Sequence, residues 1–60
     1  MDRAHIMGLI TFYSISHPEL RIGQIISNAA AVGGWKGVDA FYAPDALIYA
    51  GITRLLEKEK

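Results

Sequence analysis

Pro18 divides two apolar stretches of helical spacing, and this break does most to limit what the chain can fold into. Proline lacks a backbone N–H and disfavours the α conformation at the residue before it, here His17. Upstream, Ile6, Leu9, Ile10 and Tyr13 fall at i, i+3, i+4 and i+7, which predicts a helix over residues 2–16. Downstream, Ile22, Ile25, Ile26 and Ala29 with Ala30 repeat the spacing. They predict a second helix over 20–32, closed at Gly33-Gly34 where glycine can take the left-handed conformation. Pro44-Asp45 suits the start of a third helix over 44–58, with proline in the first turn and an acid near the positive end of the dipole. Its apolar set is Ile48, Ile52 and Leu55, widened by Leu47, Gly51 and Leu56. The expected architecture is all-α: one compact three-helix domain spanning residues 1–60.

The stretch from Trp35 to Ala43 has no periodicity and contains Gly37, so it reads as a loop with a short extended piece at Ala40-Phe41-Tyr42. Aromatic side chains are costly to leave in water. Phe41 is therefore expected to plug the core, with Trp35 and Tyr42 at its edge or at a partner surface.

A chain of sixty residues buries only about 60% of the surface its unfolded form exposes. Domains this small usually need disulfides, a metal or self-association. There is no cysteine, and the two histidines, His5 and His17, are not spaced as an i, i+4 ligand pair. Association is what remains, and a hydrophobic fraction of 52% gives it a driving force. On the first helix His5, Gly8, Phe12 and Ile15 form a second stripe roughly opposite the first. On the third, Ala46 and Ala50 make a small-residue face with Thr53. Gly8, Phe12, Ile15, Ala46 and Ala50 are accordingly the expected homo-oligomer interface, with packing of Phe12 and Ile15 under the following loop as the alternative. Gly8, Gly23 and Gly51 lie in or near helices, at about 1 kcal/mol each relative to alanine. Close approach of helix backbones is the expected compensation.

Six basic and six acidic residues cancel, leaving no electrostatic footprint for nucleic acid or an anionic membrane. Ala4 to Ile15 is too short to cross a bilayer, and Asp2, Arg3 and His5 do not make a signal peptide. The expected location is cytoplasmic.

None of the serines, histidines or carboxylates falls in a catalytic spacing, so neither an enzyme nor a cofactor or metal is expected. Gly33-Gly34-Trp35-Lys36-Gly37 lacks the glycine spacing and the ending of a phosphate loop. The constellation that remains is a binding one. Arg21, at the start of the second helix, combines a guanidinium fork with free backbone N–H groups suited to a carboxylate or phosphate. Gln24 and Asn28 extend that face with amides, while Trp35, Lys36 and Tyr42 offer stacking rings and a cation from the loop. Equally open is a structural ion pair of Arg21 with Glu19, Asp39 or Asp45.

The segment Pro18-Glu19-Leu20-Arg21-Ile22-Gly23-Gln24, with the later Phe41-Tyr42 and the acidic helix start at Asp45, resembles a group of short bacterial and phage-borne proteins. These carry a Pro-Asp-Leu-Arg-Leu-Gly-Gln segment. A more distant likeness is to the YihD-like family of small helical proteins. The resemblance spans roughly Ile15 to Tyr49 and implies a helical fold, with a cytoplasmic accessory that binds a host protein or a nucleotide signal. Glu19 stands where the group has aspartate, and Ala43-Pro44 where an acidic stretch is commoner. Three functions follow: a non-enzymatic self-associating protein that binds and modulates a protein partner, a protein that sequesters a phosphate-bearing small molecule, or a structural subunit.

Overall fold

The computed structural model describes residues 2–59, and these form three helices and no strand. Helix α1 spans Arg3–Ser16, α2 Ile22–Val32 and α3 Asp45–Glu57, with a single 3₁₀ turn at Ala40–Tyr42 before α3. Among the described residues no helix is long and apolar enough to cross a membrane.

Each helix end has a local cause. Asp2 caps α1 by accepting the Ala4 N–H at 3.0 Å, a preferred role for aspartate at that position. The helix stops at Ser16, two residues before Pro18, as the sequence requires. Helix α2 begins two residues later than the spacing predicts. Leu20 lies in the turn and packs at the edge of the core, while Arg21 is extended and its N–H donates to Gln24 Oε1 at 2.9 Å. The glutamine side chain thus satisfies a donor that the helix would otherwise leave free. At the other end Gly34 N–H donates to Ala31 O at 3.1 Å and Trp35 N–H to Ala30 O at 2.9 Å. This pair of bonds is a Schellman closure, and it needs the left-handed residue that Gly34 supplies at φ +108°. Helix α3 starts at Asp45, with Pro44 extended outside it.

The core is a cluster of Ile6, Ile10 and Tyr13 from α1, Ile25 and Ala29 from α2, and Ile52 from α3. Leu9, Ile26, Ile48, Tyr49, Leu55 and Leu56 pack around it. Helices α2 and α3 meet backbone to backbone. A Cβ added at Gly51 would run into the Ala29 carbonyl, and one at Gly33 into the Leu47 carbonyl. The expected close approach therefore exists at Gly51, and at Gly33 in addition, but not at Gly8 or Gly23. A Cβ at either of these two meets nothing within 4 Å. Gly23 lies in the first turn of α2.

Helices α1 and α3 run parallel. Their starts are joined by Arg3 Nε donating to Asp45 at 2.7 Å, their first two turns by the His5 and Tyr49 rings at 5.9 Å, and their ends by His17 with Glu59. A parallel pair needs a long return, which α2 and residues 33–44 provide. The 3₁₀ turn packs against α2, and Arg54 Nη1 reaches across to the Val32 carbonyl at 2.9 Å.

Two expectations for the connecting segment are corrected. Ala40-Phe41-Tyr42 is a 3₁₀ turn and not an extended piece, because the Asp39 carboxylate accepts the Phe41 N–H at 2.9 Å and tightens the chain. Phe41 does not plug the core: it is 84% exposed. Helices closed on alanine and glycine leave no hole of phenyl size between them, and the interior is filled by Ile25 and Ile52.

Candidate interaction surfaces

Arg21, Gln24 and Asn28 all face solvent. At 100° per residue, Gln24 and Asn28 occupy adjacent turns on the side of α2 away from buried Ile25 and Ala29. Ser27, also exposed, shares that side and escaped the sequence reading. Gln24 is partly committed, since its carboxamide oxygen caps the helix at Arg21 N–H. The carboxylates offered as partners for Arg21 have other occupations: Glu19 faces His17, Asp45 binds Arg3, and Asp39 accepts the Phe41 N–H. Among the described residues Arg21 forms no ion pair.

The loop members of the predicted constellation do not join this group as one site. Trp35 and Lys36 follow the far end of α2, about 16 Å from Arg21 at 1.5 Å per residue. The Trp35 ring is half-buried over Gly37, and its indole N–H donates to the Asp39 carbonyl at 3.2 Å. Lys36 is exposed. Tyr42 is 71% exposed and holds Phe41 edge to face, with ring centroids 5.2 Å apart. Val38 is a further exposed apolar side chain that the sequence reading left out, and Ile22, which the spacing set on the apolar face of α2, is 51% exposed at the helix start. Ile22 fits the core period of α2, so periodicity could not have revealed it. Val38 and Phe41 lie in a loop without periodicity.

A second surface is the outer side of α1. Met7, Phe12 and Ile15 are 55%, 62% and 73% exposed, so Phe12 and Ile15 do not pack under the loop that follows. Ala4, Gly8 and Thr11 are exposed between them. From Ala4 to Pro18 the chain has no charged side chain apart from the titratable His5 and His17. On the side facing α3, Phe12 joins Leu9, Ser16, Thr53 and Leu56 in an open groove of about 570 Å³ with Glu57 and Glu59 at its rim. Of the expected interface residues on α3, Ala46 is exposed and Ala50 half-buried. Thr53, one turn beyond Ala50, lines the groove.

Two groups, one at each end of the α1–α3 pair, are electrostatically perturbed. At one, the hydrogen bond and charge of Asp45 raise the Arg3 pKa further above its ordinary value. At the other, the hydrogen bond that His17 donates to the Glu59 carboxylate raises the His17 pKa, burial opposes the rise, and Glu19 adds to it. His17 also stacks on Tyr13, with centroids 4.2 Å apart and planes inclined by 22°.

Fold and surfaces together describe a small three-helix, all-α protein with an exposed polar side on α2, exposed aromatic rings at the 3₁₀ turn, and an uncharged apolar side on α1. Comparison with family models, curated proteins and solved structures gives no match.

Proposed function

We propose that this protein is a non-enzymatic binding module that self-associates through α1 and engages a protein partner through α2 and the 3₁₀ turn. The observation that carries the reading is the ordered exposure of Phe41 and Tyr42. An Asp39 cap and an edge-to-face contact hold both rings in place, yet both are left in water. Aromatic and arginine side chains are the groups that dominate protein interfaces. Arg21 and Asn28 are exposed polar groups elsewhere on α2 and add to the surface a partner meets. A cytoplasmic accessory role in a bacterium or phage rests on the likeness at Pro18 to Gln24 alone.

The test is capture from a bacterial host lysate with wild-type protein and with the double variant Phe41→Ala/Tyr42→Ala, read by mass spectrometry. Both side chains are exposed, so the variant should melt within about 0.5 kcal/mol of wild type while losing the captured protein. Recovery of the same proteins by both forms refutes the assignment of this face. A thermal shift with a nucleotide panel, accompanied by no specific protein capture, would move the function to small-molecule sequestration.

A further inference from the structure

Resting on the self-association reading, we infer that the occupant of the outer α1 face is the α1 helix of a second copy, packed antiparallel, with Phe12 and Ile15 of each copy seated over Gly8 and Ala4 of the other. Three features of α1 lead there. First, Gly8 sits mid-helix with open space where its Cβ would be, so no neighbour among the described residues accounts for glycine, whereas Gly33 and Gly51 sit against backbone. Glycine on an exposed helix face lets a second helix backbone come close. Second, side-chain size is graded along the face. Ala4, Gly8 and Thr11 lie toward its start, Phe12 and Ile15 toward its end. Thr11 turns its hydroxyl back to the Met7 carbonyl at 2.9 Å, which satisfies that polar group within its own helix.

A two-fold axis near the helix centre sets large against small, so the face complements itself as an isologous contact must. A parallel pairing sets Phe12 and Ile15 against their own copies and leaves Gly8 facing Gly8. Third, with roughly 200 Å² per fully exposed side chain of this size, Met7, Phe12 and Ile15 offer about 400 Å² per copy, within the range of the largest apolar patch on a small protein, which is often a functional one. Two copies, with Ala4, Gly8 and Thr11 added, approach the roughly 1,000 Å² that specific interfaces clear.

The absence of native cysteine makes the register directly testable. Ala4→Cys and Ile15→Cys proteins, mixed and oxidised, should give mainly the mixed disulfide, because the bond forms only where Cβ atoms approach closely. Light scattering should find a wild-type dimer, and Gly8→Leu should weaken it by about ten-fold or more while keeping its helical circular dichroism. A wild-type dimer in which Ala4→Cys chains cross-link only to each other, and Ile15→Cys chains likewise, overturns the antiparallel packing and leaves self-association standing. A wild-type monomer at the highest soluble concentration overturns both. A Gly8→Leu protein that is folded and still fully dimeric overturns the placement of Gly8 at the contact.

Discussion

The α2–α3 contact and the outer face of α1 each place a glycine inside a helix, but the two glycines have opposite surroundings. At Gly51 the missing side chain is filled by the Ala29 carbonyl, and Ala29 and Ala30 lie fully buried beside it. Backbone closeness fixes the spacing of that pair, so not even one methyl group fits. Helix α1 docks on the same core through long side chains, Ile6, Ile10 and Tyr13, and among the described residues a Cβ at its Gly8 would meet nothing within 4 Å. Both residues carry the helix cost of glycine, about 1 kcal/mol relative to alanine. Only at Gly51 is that cost offset within the described chain.

One methyl group added at each site puts this contrast to its most severe test. Gly51→Ala forces the Ala29 and Gly51 backbones apart and should cost about 3 kcal/mol or more, beyond ordinary overpacking because the obstacle is backbone. For a domain of this size each kcal/mol shifts Tm by about 4–8 °C, so circular dichroism should show a collapsed transition. A melt within a few degrees of wild type would mean that α2 and α3 are not in backbone contact. Gly8→Ala should act in the other direction. Urea unfolding at dilutions where light scattering finds monomer should show a gain of up to about 1 kcal/mol. A loss there would place Gly8 against some part of its own chain.

The same methyl group shows where sequence information ends. Helical spacing, Pro18 and Gly33-Gly34 locate the helices to within two residues, because period and punctuation are local. The tertiary reason for a glycine is not local, and Gly8, Gly23 and Gly51 looked alike until their neighbours were known. Parallel α1 and α3 were equally hidden, since that arrangement depends on contacts 42 residues apart, Arg3 with Asp45 and His17 with Glu59. Phe41 was misplaced because hydrophobicity in an aperiodic loop does not say which way a residue faces. Of the predicted group, the shared side of Gln24 and Asn28 on α2 follows from spacing, whereas Arg21 lies in the extended cap position before the helix. The use of Gln24 as a cap could have been anticipated from its position three residues after the cap residue.

A comparison of the two ends of the α1–α3 pair leads to the smallest effect. At the starts of the helices, Asp45 raises the Arg3 pKa, so that Arg3 keeps its charge throughout the neutral range. At the ends, His17 closes α1, stacks on Tyr13, and turns one ring nitrogen to Glu59 and the other to Glu19 at 3.4 Å. The nearby carboxylates, Glu59 foremost, raise the His17 pKa above its ordinary value. The folded state therefore binds the His17 proton more tightly than the unfolded chain does. By linkage, the stabilisation is fully present below the unfolded value of about 6.5 and is lost as pH rises through the higher folded value. Tm should accordingly be higher near pH 6 than near pH 8.5, and His17→Gln should flatten that difference while leaving the Arg3–Asp45 end unaffected. The shift should be small because solvent screens such partly exposed pairs. An unchanged pH slope in His17→Gln would show that the titrating group lies elsewhere and that His17 is not the clamp holding the end of α1 to the residues after α3.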